Sequence, residues 1–359
     1  MKRISTLIIT LMLLLSPATY AQKGGFGTIQ QLQSPQNPRL GFIIHGGAGV
    51  IRKGSLSPEK EKQYKDKLEE AVLAGYKALQ AGKSSLDAVE IAIRLLEDSP
   101  LFNAGKGAVF TNDGRNELDA SIMNGKTQAA GSVAGLRHIK NPITLARAIM
   151  EKSPHVMMTG EGAEKFAREQ KLDIVDEKYF WTQERWDGLQ KILKEEEEKR
   201  RKGEGEKSKP GSSLDTRLTT HDSKYGTVGA VALDKDGNIA AGTSTGGMTN
   251  KRYGRVGDAP IIGAGTYANN DSCGVSATGW GEYFIRVGVA RDISALMEYQ
   301  ALTVQTASDR VMQKVKTLGG DGGVIVMDKF GNMGISFNSE GMYRAYIDIN
   351  GKPVVEIYK

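Results

Sequence analysis

The sequence predicts a layered α+β fold, and three of its features carry that expectation. Residues 227–233 with 239–243 form one strand–turn–strand unit, and residues 323–327 with 333–337 form another. Two amphipathic stretches, about 281–299 and 303–318, stand between these units, and helical periodicity fills much of the chain upstream. Helices before and between antiparallel hairpins suit layers packed on sheets and argue against a βαβ series. A chain of 359 residues that is 39% hydrophobic and 25% charged can bury a sizeable core.

In chain order, residues 1–21 read as an export signal. Lys2 and Arg3 precede an apolar run from Leu7 to Leu15, then Ser16-Pro17 and a small-residue exit ending at Ala21. The run is too short to span a bilayer, and no other segment is apolar enough to do so. The mature protein is therefore expected outside the cytoplasm, in a periplasm or beyond the cell. Leu40-Gly41-Phe42-Ile43-Ile44 is a short buried strand, expected to stop at His45-Gly46-Gly47-Ala48-Gly49. Residues 59–80 put Leu68, Val72, Tyr76 and Leu79 on one helical face, widened by Leu73. A second helix opens at Ser84-Ser85-Leu86-Asp87, where Ser84 and Asp87 form a capping box, and runs through Ile91 and Leu95 toward Pro100. A third has Asn141 as its cap and Pro142 at its first position. Residues about 194–213 are expected to be a flexible charged tether, although the first half reads equally well as a charged helix end. Beyond it the hairpins turn at Asp234-Lys235-Asp236-Gly237-Asn238 and Asp328-Lys329-Phe330-Gly331-Asn332.

Charge and composition exclude several functions. The net charge is 48 − 42, or +6, of which Lys2 and Arg3 supply two. Residues 191–209 supply two more, with eight basic against six acidic side chains. Neither interleaved aromatics nor a basic helix face accompanies this excess, so nucleic acid is not an expected partner. One cysteine, Cys273, permits no intrachain disulfide. His45, His138, His155 and His221 show no metal-ligand spacing, which argues against a zinc enzyme.

Gly242-Thr243-Ser244-Thr245-Gly246 matches the G-x-S-x-G nucleophile elbow, and His45-Gly46-Gly47-Ala48 resembles an esterase oxyanion segment. That reading needs a base histidine after the serine, and no histidine follows His221. Dinucleotide binding fails too, because Gly263-Ala264-Gly265 is not followed by an apolar helix. A hydroxyl nucleophile without histidine needs another base, and an N-terminal threonine carries one in its own α-amine. That amine has a reference pKa of about 7.7–8.0, so a useful neutral fraction exists near pH 7. Thr227 stands where the tether meets the strand. Gly226 before it is expected to tolerate the strained backbone that presents a carbonyl to the Thr227 hydroxyl.

Around Thr227 a series of segments occurs in order. It comprises Gly226-Thr227-Val228-Gly229-Ala230-Val231-Ala232, Thr243-Ser244-Thr245-Gly246-Gly247-Met248-Thr249-Asn250-Lys251 and Gly254-Arg255-Val256-Gly257-Asp258-Ala259-Pro260. Gly263-Ala264-Gly265-Thr266-Tyr267-Ala268-Asn269-Asn270 and Ala277-Thr278-Gly279-Trp280-Gly281-Glu282 follow. Together with the His45–Gly49 stretch and Leu101-Phe102-Asn103-Ala104-Gly105-Lys106-Gly107, they resemble the plant-type L-asparaginase/isoaspartyl aminopeptidase family of N-terminal-nucleophile hydrolases. The resemblance covers nearly the whole chain after residue 21 except the tether.

The resemblance implies an αββα sandwich made from one precursor that cuts itself between Gly226 and Thr227. Residues 22–226 would form the α subunit and residues 227–359 the β subunit, assembled as a dimer of αβ heterodimers. Thr227 would be the nucleophile, Thr245 the threonine that tunes it, and Thr278 with Gly279 the oxyanion-hole pair. Arg255 and Asp258 would clamp the substrate, a guanidinium suiting an α-carboxylate and a carboxylate suiting an α-ammonium. Asn103 would lie near the nucleophile. No catalytic cofactor is implied, only a structural sodium on main-chain oxygens of Leu96, Glu97, Ser99, Phe102, Ala104 and Lys106. The expected substrates are β-aspartyl dipeptides and L-asparagine. A glycosylasparaginase, or a binding protein that never cuts itself, are the alternatives. The long tether and Trp280 depart from the family pattern.

Overall fold

The computed structural model describes residues 32–33, 40–201 and 226–359. The export segment expected over 1–21 and residues 202–213 of the expected tether lie outside the described residues. The first half of the chain contains β1 (Leu32–Gln33), β2 (Gly41–Gly49), α1 (Pro58–Gln80), α2 (Ser85–Glu97), β3 (Leu118–Asn124), β4 (Ala130–Leu136), α3 (Pro142–Lys152), β5 (Met157–Thr159), α4 (Gly160–Glu169) and α5 (Gln183–Arg201). The second contains β6 (Val228–Leu233), β7 (Ile239–Thr245), β8 (Thr266–Ala268), β9 (Cys273–Gly279), α6 (Gly281–Val287), α7 (Val289–Gln300), α8 (Val304–Thr317), β10 (Gly322–Asp328), β11 (Asn332–Phe337), β12 (Gly341–Ile347) and β13 (Pro353–Tyr358). The architecture is mixed α/β, with an eight-stranded sheet ordered β13-β12-β2-β6-β7-β3-β4-β5 and a five-stranded sheet ordered β1-β11-β10-β9-β8.

Three apolar clusters hold these elements together. The first sets α1, α2 and α3 against the larger sheet, with Leu68, Val72 and Ile93 meeting Phe42, Ile44 and Ala230. The second sets α6, α7 and α8 against the smaller sheet, with Phe284, Ile293 and Val311 meeting Val275 and Val324. The third joins strand residues of both sheets, such as Ile43 and Val231 with Ile325 and Phe337. Fully burying one such side chain contributes about 1.5–3 kcal/mol.

Most of the expected elements form where their local signals lie. The Ser57 hydroxyl caps α1, which buries Leu68, Val72, Tyr76 and Leu79. Ser84 and Asp87 close the capping box of α2. Both expected hairpins pair in register, β6 with β7 and β10 with β11. Among the described residues no helix is long and apolar enough to cross a membrane.

Four expectations are corrected. The first strand continues through His45 to Gly49, because β12 satisfies its backbone and the side-chain-free Gly46 makes room for the Phe102 ring. Asn141 precedes α3 as expected, yet its side chain does not cap the helix and donates instead to Glu97 and Asp98. The stretch 281–299 is two helices, not one. Gly288 ends α6 at φ 65°, a left-handed conformation that costs glycine little. The apolar periodicity carries on across this break, which is why the sequence reads as continuous. Finally, residues 194–201 of the expected tether complete α5. Glu196 ties this end to Asn250 and Arg252 at 2.8 Å each, and Glu197 pairs with Arg201 along the helix at 2.6 Å.

Candidate active site

β6 begins one residue after Thr227, so the edge of the central hairpin fixes that threonine in place. Thr227 is buried, and its hydroxyl donates to the Thr245 Oγ1 at 3.0 Å. Thr245 ends β7 and also accepts the Gly247 N–H at 3.0 Å. Both threonines line a narrow cleft of about 10 Å³ together with Arg255, Asp258 and Gly279. Thr278 lies behind this cleft. It is fully buried on β9, and its Oγ1 accepts the Ala48 N–H at 3.3 Å.

Asn103 stands at the junction before Thr227. Its N–H donates to the Gly226 carbonyl at 2.9 Å, its Nδ2 donates to the Gly247 carbonyl at 2.7 Å, and its carbonyl accepts the Gly246 N–H at 3.0 Å. A Cβ on Gly226 would come within 3.0 Å of the Asn103 Cβ, so the junction favours glycine sterically.

The clamp residues carry more charge chemistry than the sequence disclosed. Arg255 presents its guanidinium fork to Glu282, at 2.8 and 2.7 Å. Burial lowers the Arg255 pKa, but the bonds and charge of Glu282 more than offset it and the net shift is upward. Asp258 is pushed up to about 7 by burial, against the opposing pull of Arg255. Its Oδ2 is buried with no hydrogen-bond partner among the described residues. Such an orphaned acceptor is costly unless a donor arrives.

Three residues were missed, and a signal existed for only some of them. Glu282 and Lys251 lie at the ends of segments already singled out, without any local pattern that assigns them a role. Asp119 pairs with Thr245 across β3 and β7 and is fully buried, with burial raising its pKa and Lys251 opposing. Lys251 is itself buried and reaches the Glu117 carboxylate at 3.7 Å and that of Asp119 at 4.0 Å.

His45 backs Thr227 from inside the sheet. Its Nδ1 lies 3.0 Å from the Thr227 carbonyl oxygen and its Nε2 lies 2.9 Å from the Ser276 Oγ. A carbonyl can only accept, so Nδ1 carries the proton and Nε2 accepts from the serine hydroxyl. Burial lowers the His45 pKa to about 3, the Thr227 carbonyl only partly opposing, so the ring is neutral. From Ser276 a buried row of hydroxyls runs through Thr243, Thr266 and Ser121 to the Ala259 carbonyl beside Asp258.

Trp280 precedes α6, packs edge-on to Tyr283 at 5.0 Å, and joins the second apolar cluster. The residues expected to hold sodium run from the last turn of α2 past Asn103 to Lys106. Carbonyl oxygens converge there, since a Cβ on Gly105 would meet the Glu97 oxygen at 2.3 Å and one on Gly107 the Phe102 oxygen at 2.1 Å. Among the described residues no cluster of histidine, cysteine or acidic side chains could hold a metal. The Glu97 side chain is occupied elsewhere. It is fully buried, accepts from Ser244 at 2.6 Å and Ile143 N at 3.1 Å, and burial pushes its pKa up to about 8.

A family model described as Asparaginase matches residues 38–357. The chain belongs to this asparaginase family of hydrolases. It is 51% identical over 319 residues to the isoaspartyl peptidase of Escherichia coli strain K12, covering 89% of this chain and 96% of that protein. It is 48% identical over 333 residues to a putative isoaspartyl peptidase/L-asparaginase of Dictyostelium discoideum, covering 88% and 95%. It is 44% identical over 310 residues to the plant-type L-asparaginase of Pyrococcus abyssi, covering 86% and 96%.

Proposed function

We propose that this chain is an exported, self-cleaving amidohydrolase that acts on the β-amide of L-aspartyl groups, in β-aspartyl dipeptides and in L-asparagine. The observation that carries this is the Thr227–Thr245 hydroxyl pair, 3.0 Å apart, in a cleft that also holds Arg255 and Asp258. The names of the relatives, isoaspartyl peptidase and L-asparaginase, support the substrate class. We assign the layers of helix and strand to the αββα sandwich of N-terminal-nucleophile hydrolases, and the assembly to a dimer of αβ heterodimers.

In the precursor, the Thr227 hydroxyl attacks the Gly226 carbonyl carbon and shifts the chain from amide to ester. That shift breaks the Gly226–Thr227 C–N bond and frees the Thr227 α-amine, and water then splits the ester, releasing the Thr227 hydroxyl and a Gly226 carboxylate. In turnover, that amine takes the hydroxyl proton while the Thr227 oxygen attacks the substrate's β-carbonyl. Arg255 and Asp258 hold the aspartyl carboxylate and ammonium, and the ammonium supplies the donor that the buried Asp258 Oδ2 lacks. The Gly279 N–H and the Thr278 hydroxyl receive the developing negative charge. The leaving nitrogen takes the proton back from the Thr227 ammonium, and water releases aspartate from the acyl-enzyme. His45 holds the Thr227 carbonyl throughout. Sodium, when bound by the main-chain oxygens of Leu96, Glu97, Ser99, Phe102, Ala104 and Lys106, would neutralise their converging dipoles and stiffen the turn that leads to Asn103.

Intact mass of the purified protein, read beside its activity on a β-aspartyl dipeptide, tests the whole scheme. Two fragments are expected, the smaller starting at Thr227 and both needed for turnover. An active single chain would remove the amine from the mechanism.

A further inference from the structure

Gly226 lines a second cavity, of about 150 Å³, which shares no lining residue with the cleft that holds Thr227, Arg255 and Asp258. Tyr64, Phe102 and Tyr343 form its aromatic wall. Tyr64 stacks on Tyr343 at 4.3 Å, and Phe102 meets Tyr64 edge-on at 5.5 Å. Leu56 closes the apolar side, while Lys60, Glu184 and Arg185 bring charge to it. Lys60 is already matched by Glu184 at 3.0 Å. Among the described residues Arg185 donates to the carbonyl oxygens of Gly107 at 2.9 Å and Leu101 at 3.2 Å, and no side-chain carboxylate lies within ion-pair distance of it.

The chemistry of cleavage says which part of a substrate comes here. The leaving nitrogen must collect its proton from the Thr227 amine. In the uncut chain that amine nitrogen is bonded to the Gly226 carbonyl carbon, so Gly226 occupies the space next to the future leaving nitrogen. A void of about 150 Å³ with apolar walls admits a group the size of a benzene ring.

We propose that this cavity takes the departing residue of a β-aspartyl dipeptide, a branched or aromatic amino acid whose side chain lies against Tyr64, Phe102 and Tyr343 and whose carboxylate faces Arg185. The assignment rests on the amidohydrolase reading above and adds to it a preference among leaving groups. L-Asparagine releases only ammonia and gains nothing from the cavity. The charge and the size of the void favour an amino acid over a neutral sugar.

The test uses the processed wild-type enzyme and a Leu56→Trp variant with the same two fragments. For the wild type, kcat/KM for β-Asp-Leu should exceed that for β-Asp-Gly at least tenfold. In Leu56→Trp, the value for β-Asp-Leu should fall at least tenfold while that for L-asparagine stays within twofold. A wild-type series flat within threefold, a variant that loses both substrates alike, or a glycosylasparagine value above that of β-Asp-Leu would each overturn the cavity's role. The wild-type series needs no variant, so a poorly folded Leu56→Trp would not shield the proposal. If the wild type hydrolysed neither dipeptide nor L-asparagine, the parent reading would fall as well, an outcome distinct from active enzyme without side-chain preference.

Discussion

The two sides of Thr227 differ in nearly every physical respect. On one side stand Arg255, whose guanidinium meets Glu282 at 2.8 and 2.7 Å, and the buried Asp258, in a cleft of about 10 Å³. On the other, rings and aliphatic side chains surround a void fifteen times larger, with Asn103 and Gly226 at its inner end. Charges fixed at close range recognise one chemical group and reject others, because a wrong group leaves them buried and unpaired. An apolar void discriminates by size and only by small steps. A hydrolase with one side of each kind should be strict about the aspartyl half of its substrate and graded about the other.

The sharpest way to break this comparison is to remove the residue on which both sides converge. Thr227→Ala should abolish cleavage at Gly226–Thr227 and lower turnover by about 10⁴-fold or more. Electrophoresis showing two fragments in that variant would refute the assignment. On the charged side, Arg255→Ala should cost about 2–5 kcal/mol in transition-state binding, roughly 30- to 4,000-fold in kcat/KM. Processing should continue, since that reaction binds no free α-carboxylate. A processed Arg255→Ala enzyme with near-normal kcat/KM would show that the strictness lies elsewhere.

His45 allows the neutral backing of Thr227 to be separated from its charged flank. Its pKa, near 6.5 in the unfolded chain, is lowered to about 3 in the folded protein. A lowered value means that the folded state resists protonation. The stability tied to His45 is then full above pH 6.5 and is lost as pH falls toward 3, on the order of 5 kcal/mol in all. Urea midpoints measured from pH 7 down to pH 4 should fall steeply for the wild type and less so for His45→Gln. Parallel curves would mean that the acid sensitivity belongs to other groups.

The smallest expected effect concerns Asp258. Burial raises its pKa to about 7, and only the ionised form can hold the substrate's ammonium. The Thr227 amine, with a reference value of about 7.7–8.0, must also be neutral and alone gives about a tenfold drop in kcat/KM per pH unit, so with Asp258 the drop below pH 7 should approach about a hundredfold per unit. A limb that stays at about tenfold per unit below pH 7 would exclude an ionised Asp258 from the clamp.

Much of the fold was legible because its signals are local. Ser84 and Asp87 announce α2 from four residues, and each turn around Gly237 or Gly331 announces its hairpin. Where local signals mislead, the cause is specific. The helical period runs straight across Gly288, and nothing nearby marks the break in backbone hand. The glycines of 46–49 look like the end of a strand, since their pairing partner, β12, lies almost 300 residues away. The last turns of α5 read equally well as tether or helix end, and Asn250 and Arg252, from beyond the junction, hold them on the helix side.

The sequence by itself picked out the candidate site, namely a threonine after a glycine, a second threonine, and an arginine and an aspartate three positions apart in one glycine-rich segment. It also determined the capped helices and the two hairpins, because hydrophobic period, caps and turn residues act over a few positions. Only the tertiary structure decided that Glu282 takes the Arg255 fork, that Asp119 and Lys251 lie behind Thr245, and that His45 grips the Thr227 carbonyl across 182 positions. It alone formed the aromatic cavity from Tyr64, Phe102 and Tyr343. Those contacts arise from sheet order and from burial. Both are set by the competition of the whole chain for apolar cover and hydrogen-bond partners, and neither leaves a mark on the neighbouring residues.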